Sequence, residues 1–177
     1  MIHFLQQYDP SVHIDAIEID PVVVEIAEKY FGVGPQDNVN VVTADGFDYL
    51  RNTESIYDVI FMDAFLKPSA ETDSTGVPLR LRTQRFYRDI QTKLRPGGMV
   101  MFNINPHSKI SQDVQAIRDA FPQTYVFPLP RSNGLVVAGS TASRRVRNST
   151  LTRNAVRLDR RFKTNFSFQN MVRRVDQ

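Results

Sequence analysis

The chain contains no cysteine, which excludes disulfides and thiolate metal sites. Its three histidines, His3, His13 and His107, are dispersed, so no bound metal is expected. No apolar run approaches the roughly 20 residues of a membrane span, and the N-terminus lacks a signal-peptide pattern. A G-x-G-x-x-G string is also missing, which removes the signature of a nicotinamide-dinucleotide domain. Together these absences lead to the expectation of a cytoplasmic protein with no membrane partner.

What is present is ordinary for one soluble domain with a real core: 177 residues, 41% hydrophobic and 23% charged. The net charge of +3 conceals an asymmetry. Residues 141–177 hold ten Arg and Lys against Asp159 and Asp176, a net +8, which leaves −5 on the first 140 residues. Such a tail suits either an arm for nucleic acid or anionic lipid, or the solvated face of helices lying on the body. Val156, Phe162, Phe166, Phe168, Met171 and Val175 favour the second, because an electrostatic arm has no use for them. A nucleic-acid partner is therefore not expected.

Strand and helix patterns alternate along the chain. Residues 1–8 read as a helix stopped by Asp9-Pro10, and residues 13–19 as a strand. Asp20-Pro21 then opens a helix with Val23, Ile26, Ala27 and Tyr30 on one stripe and Gly32 at its end. Residues 40–44 form a second strand, and Asp45-Gly46 opens a short helix. The apolar run Val59-Ile60-Phe61-Met62 suits a strand buried on both faces, ending in Asp63. Residues 66–79 form a polar loop of a length associated with lids and binding segments. Thr83 caps a helix that Pro96-Gly97-Gly98 terminates. A strand at 99–104, a helix at 111–121 and a hairpin of 124–129 with 134–138 follow. The order predicts an α/β fold, a mostly parallel sheet closed by a C-terminal antiparallel hairpin.

Three successive strands end in acids: Glu18 and Asp20, then Asp45, then Asp63. In open α/β sheets, ligands bind beyond the carboxyl ends of the strands. A glutamate such as Glu18 can accept both hydroxyls of a ribose. Asp45 can accept an exocyclic amine while Gly46 lets the ring approach. Helix capping accounts for Asp20 and partly for Asp45, but not for Glu18, which precedes the cap by two residues. Nucleoside binding is the expectation.

At these residues the chain resembles the spermidine synthase-like branch of class I S-adenosylmethionine-dependent transferases. IDAIEIDP, TADGFDYL, YDVIFMDAF and LRPGGMVMFNI look like its consecutive motifs, over roughly residues 1–140. The resemblance implies a Rossmann-like, methyltransferase-type sheet in a domain spanning 1–140, followed by a basic helical extension over 141–177. It implies S-adenosylmethionine or its decarboxylated form as cosubstrate, with Glu18 on the ribose, Asp45 and Gly46 on the adenine, and Asp20 beside them. Asp63 would be the catalytic residue that faces the reacting amine. A small-molecule amine, a homodimer and a role in polyamine biosynthesis come with the family. The family's first strand and glycine-rich loop would lie before Met1, as would the small β-hairpin domain of true aminopropyltransferases. Polyamine-making members carry another Asp-Pro shortly after the aspartate matched by Asp63, where this chain has Phe65-Leu66-Lys67-Pro68. Aminopropyl transfer is the leading expectation. Methyl transfer, or a non-catalytic module on a degenerate fold, are the alternatives.

Overall fold

The computed structural model describes residues 1–175 apart from Asp37 and Arg131, and the chain divides into two compact units, 1–53 and 54–177. Arg131 of the expected hairpin turn and Asp176 of the basic tail lie outside the described residues.

The first unit runs α1 (Ile2–Tyr8), β1 (Ile14–Glu18), α2 (Pro21–Phe31), β2 (Val39–Thr43) and α3 (Gly46–Asn52). Strands β1 and β2 pair in parallel with α2 as their crossover, and Glu18 stands opposite Thr43. Local chemistry sets the helix ends. Asp20 accepts from the Val22 amide at 2.8 Å to start α2, with Pro21 at the first turn. Gly32 closes it at φ +63°, a left-handed position that costs glycine little. The stripe expected to bury Val23, Ile26 and Tyr30 does not do so: they are 45%, 42% and 68% exposed. Only two strands lie in this unit's sheet, too narrow a surface to cover the apolar face of α2.

The second unit contains β3 (Tyr57–Met62), a 3₁₀ turn (Leu79–Arg82), α4 (Gln84–Thr92) and β4 (Leu94–Ile104). There follow α5 (Ile110–Ala120), β5 (Gln123–Pro128), β6 (Leu135–Ser140), α6 (Asn148–Arg161) and α7 (Phe168–Val172). The four strands lie in the order β3-β4-β6-β5. β3 runs parallel to β4, while β6 opposes both β4 and β5. Three strands thus share one direction and the hairpin closes the sheet, as the pattern of residues predicts.

Two expectations need correction here. β3 is not buried on both faces: Val59 and Phe61 are 44% and 47% exposed, and Ile60 alone is buried. The strand is an edge of its sheet, paired only with β4, so one side of its ladder has no neighbour. The most buried strands are β4 and β6 instead. Pro96-Gly97-Gly98 also lies inside a strand rather than between elements. β4 begins at Leu94, opposite Tyr57, and a register shift follows before Val59 meets Met99. Gly97 at φ +82° takes up that irregularity.

The core of this unit lies between the sheet and helices α4 and α5. Phe86, Tyr87, Ile90, Val100, Ile117 and Val137 are essentially inaccessible to solvent. Tyr87 meets Phe102 edge-on at 5.7 Å between ring centroids, and Phe121 stands 6.3 Å from each. Gly139 is required beneath this cluster, because a Cβ there would sit 2.6 Å from the Phe121 ring. The root of the basic tail is tied to β5. Arg145 donates to the Thr124 carbonyl at 3.0 Å, and the Val146 amide donates to the Tyr125 hydroxyl at 3.0 Å. Beyond it, Asp159 of α6 accepts from Ser167, Phe168 and Gln169 and holds α7 against it.

Candidate active site

The candidate residues fall into two groups, one in each unit. In the first, Glu18 ends β1 and Asp45 follows β2 by two residues. The Ala44 amide donates to the Glu18 carbonyl at 2.9 Å, which extends the pairing to the strand ends and puts both acids at one sheet edge. Glu18 Oε1 accepts from the Asp20 amide at 2.9 Å. Asp20 and Asp45 both cap helices, Asp45 through the Phe47 amide at 2.8 Å, with Gly46 as the first residue of α3. Capping turns one carboxylate oxygen of each aspartate toward its helix and leaves the other oxygen's direction set by the same bond.

In the second unit, Asp63 follows β3 directly and is exposed. Its Oδ1 accepts from Nδ2 of Asn103, on the neighbouring strand β4, at 2.8 Å. That bond fixes the carboxylate's orientation and leaves Oδ2 for a partner. Asp63 therefore lies at the carboxyl end of a different sheet from Glu18 and Asp45, where the sequence suggested three acids along one edge.

Next to Asp63, which does not itself line it, Met62, Ala64 and Asn103 border a cavity enclosing about 450 Å³ of empty space, open solvent included. Met62, Ala64, Val77, Leu81, Phe102, Ile104 and Ile117 give it apolar walls. Arg82, Tyr87, Asn103 and Asp113 supply its polar groups. One wall is the loop at 66–79, which is ordered by its own hydrogen bonds. Leu66 donates to the Gly76 carbonyl at 2.8 Å, Asp73 to Val77 at 2.9 Å and Leu79 to Glu71 at 2.9 Å. Gly76 makes this possible. Its φ is +86°, and a Cβ there would stand 2.1 Å from the Leu66 carbonyl oxygen.

Asp73 anchors the loop. Its carboxylate accepts from the Thr75 amide at 2.7 Å, the Thr75 hydroxyl at 2.8 Å and the Val77 amide at 2.9 Å, and it pairs with Arg82. Burial favours the neutral acid, yet the bonds from Thr75, Val77 and Arg82 outweigh it and hold the carboxyl down at about 2. Arg82 reaches onward to Asp113 Oδ2 at 3.1 Å, and His107 Nε2 meets the same oxygen at 2.9 Å. The His107 Nδ1 accepts from the Lys109 amide at 3.2 Å, so the proton sits on Nε2, which donates to Asp113. Burial, reinforced by the negative charge of Asp113 and partly offset by Arg82, pushes the Tyr87 phenol up to about 12, so it stays a neutral hydroxyl.

Sequence reasoning reached Asp63 and missed Asn103, Tyr87, Arg82 and Asp113. One signal was available for Asn103, a polar side chain in the apolar run of β4. No local pattern marks the others, since Arg82 and Asp113 meet across 31 positions.

The order of strands, the flanking helices and the acids at strand ends define an α/β domain of the methyltransferase type. The human methyltransferase-like protein 13, solved in complex with SAH, superposes on 94% of this chain and 78% of its own at a TM-score of 0.83 and 23% identity. The model of the spermine/spermidine synthase domain matches residues 1–149, and the chain belongs to that family. Among curated relatives, the polyamine aminopropyltransferase of Vibrio vulnificus is 32% identical over 134 residues, 73% of this chain and 42% of the relative. The eEF1A lysine and N-terminal methyltransferase of Homo sapiens is 30% identical over 131 residues, 70% of this chain and 19% of the relative. The chain thus spans less than half the length of these relatives. Among the described residues, no helix is long and apolar enough to cross a membrane.

Proposed function

We propose that this chain is the core of a transferase that moves an aminopropyl group from decarboxylated S-adenosylmethionine to an amine. In this reading residues 1–140 are the family domain and 141–177 a helical extension of a cytoplasmic homodimer. The observation that carries the proposal is Asp63, held by Asn103 at the carboxyl end of β3 with one oxygen left open beside a cavity. Glu18 and Asp45, at neighbouring strand ends of the first unit, are the groups for the ribose and adenine, with Asp20 and Gly46 shaping the same turns. The name of the Vibrio vulnificus relative supports this choice of reaction, and the SAH bound to the human neighbour supports an S-adenosyl cosubstrate more broadly.

The bound sulfonium supplies an electrophilic carbon and a neutral thioether leaving group. Asp63 Oδ2 accepts a hydrogen bond from the acceptor ammonium, takes its proton and aims the nitrogen lone pair. The new C–N bond forms as the C–S bond breaks, and the electron pair stays on sulfur. Alignment and proton removal are the protein's share.

Methyl transfer is the second reading, favoured by Lys67 where polyamine-making members carry an acid, and by the human methyltransferase relative. It uses the same geometry with a different group on sulfur. Calorimetry with SAH tests both. Binding that weakens at least several-fold in Glu18→Ala supports the site, as expected from losing hydrogen bonds worth about 1–3 kcal/mol. Equal affinity in the variant removes Glu18 from it. Incubation with each sulfonium donor and a panel of amines then separates the two transfers. No product from either leaves the non-catalytic module.

A further inference from the structure

The basic tail carries more charge than its packing uses. Residues 143–175 hold ten Arg and Lys and one acid, Asp159. That acid is occupied at the start of α7, where Ser167, Phe168 and Gln169 all donate to it. Two of the arginines serve the fold: Arg145 donates to the Thr124 carbonyl and covers the Tyr125 ring, and Arg161 lies over Phe162. Arg153, Arg157, Arg160, Arg173 and Arg174 are exposed, and among the described residues their side chains have neither a hydrogen-bond nor an ion-pair partner.

Helix α6 sets where three of them point. Ala155 is 2% exposed, and Leu151 and Leu158 on the same side are half-buried, so the apolar face is turned inward. Arg153, Arg157 and Arg160 follow one another at four and three residues and form a ridge on the opposite, solvent side. Their Cβ atoms stand about 5–6 Å apart, where like charges destabilise a helix and a bound polyanion relieves the repulsion. The surroundings favour one polyanion. A helix that lies on a membrane turns its apolar face to the lipid, whereas α6 buries its own. Nine of the ten basic residues are arginine, which grips a phosphate with two N–H groups and stacks on planar rings, where lysine supplies a point charge. An acidic peptide offers no planar base, yet a ring is presented here. Phe166 is 41% exposed, meets Phe168 edge-on at 5.2 Å, and directly precedes Ser167, which bonds Asp159. Bases of a single strand stack on such a ring, while those of a duplex are already stacked on each other.

We propose that the outer face of α6 and α7 is a binding surface for single-stranded nucleic acid, which it holds by phosphates and a stacked base rather than by sequence. Arg153, Arg157 and Arg160 hold phosphates along the strand, Phe166 takes a base, and Arg173 and Arg174 add charge at the end of α7. The apolar residues that argue against a free electrostatic arm pack these helices and leave the ridge of arginines to the solvent side. The surface rests on no reading of the strand-end acids.

Fluorescence anisotropy of a labelled oligothymidylate, titrated with the full chain at several salt concentrations, tests this. Binding is expected to weaken with salt, with a log–log slope of about −0.7 for each phosphate neutralised. The triple variant Arg153→Gln, Arg157→Gln, Arg160→Gln should make that slope shallower by about 2, with an unchanged circular dichroism spectrum. If that variant loses helix, Arg157→Gln alone is read, with an expected change of about 0.7. Phe166→Leu should weaken binding about fivefold or more at every salt concentration and leave the slope alone. No binding at low salt, or a slope unaltered by loss of the arginines, overturns the surface. Equal affinity for a duplex of the same length, or parental affinity in Phe166→Leu, overturns the single strand as its ligand. Displacement by polyglutamate at equal charge overturns it in favour of an acidic protein segment, and binding to phosphatidylserine vesicles without binding to the oligonucleotide overturns it in favour of a membrane.

Discussion

Asp73 is the residue on which the wall of the candidate site depends, and Asp73→Asn isolates its charge. The carboxylate receives three bonds from Thr75 and Val77 and pairs with Arg82 at 9% side-chain exposure. Asparagine keeps one carbonyl oxygen for the Thr75 and Val77 amides. It turns an amide donor toward the Arg82 guanidinium, donor against donor, and leaves Arg82 to Asp113 alone. The carboxyl is lowered from 3.8 to about 2 in the folded chain. Because the folded value is the lower one, the stabilisation is complete above pH 3.8 and is lost as pH falls from there through about 2. At 1.36 kcal/mol per unit, and discounted for solvent at the loop, it amounts to about 1–2 kcal/mol. Urea unfolding of both proteins at pH 7, 4, 3 and 2 reads it directly. The variant should be less stable by about that amount at pH 7, with the gap closing between pH 4 and 2 because the other carboxylates titrate alike in both. A gap that stays constant down to pH 2 refutes the role given to the charge, and no gap at pH 7 refutes the anchor itself.

Asp63→Asn should bind SAH within a few-fold of the parent and lose roughly 10²–10⁴ in transfer rate, measured with saturating amine. Loss of SAH binding instead would move Asp63 into the cosubstrate pocket. Gly76→Ala places a Cβ against the Leu66 carbonyl at a left-handed backbone position, and should cost on the order of 1–3 kcal/mol in thermal unfolding and speed cleavage within residues 66–79. In Asp159, burial opposes the charged form, but the Gln169 side chain, the Phe168 amide, Ser167 and the Gln169 amide together lower the carboxyl below its usual value of 3.8. The α6–α7 staple is thus present at neutral pH and is lost on acidification through the lowered value. Asp159→Asn should accordingly hasten tryptic cleavage at Arg173 and Arg174 at pH 7, with the body of the chain intact.

Much of this protein is decided close to home along the chain. The caps of Asp20, Asp45 and Thr83, the stop at Gly32 and the alternation of strand with helix each depend on residues a few positions apart. Apolar periodicity and capping chemistry therefore make them legible in the sequence, and with them the α/β class and the strand-end acids. Which strands become neighbours is a different matter. Nothing local says that β3 is an edge, that β6 inserts between β4 and β5, or that the strands form two separate sheets. Val59 and Phe61 read as core residues because their pattern is that of a strand covered on both faces, and only the tertiary structure shows that the face they share stays half open while Ile60 on the other is buried. The polar groups near Asp63 follow the same rule. Asn103 reaches Asp63 across 40 positions, and Asp73, Arg82, His107 and Asp113 come from a loop, a turn, the segment before α5 and the first turn of α5. Such pairs are selected by packing of the sheet against α4 and α5, a free energy summed over the whole core. The sequence alone therefore specified the residues capable of chemistry, and the tertiary structure decided which of them meet.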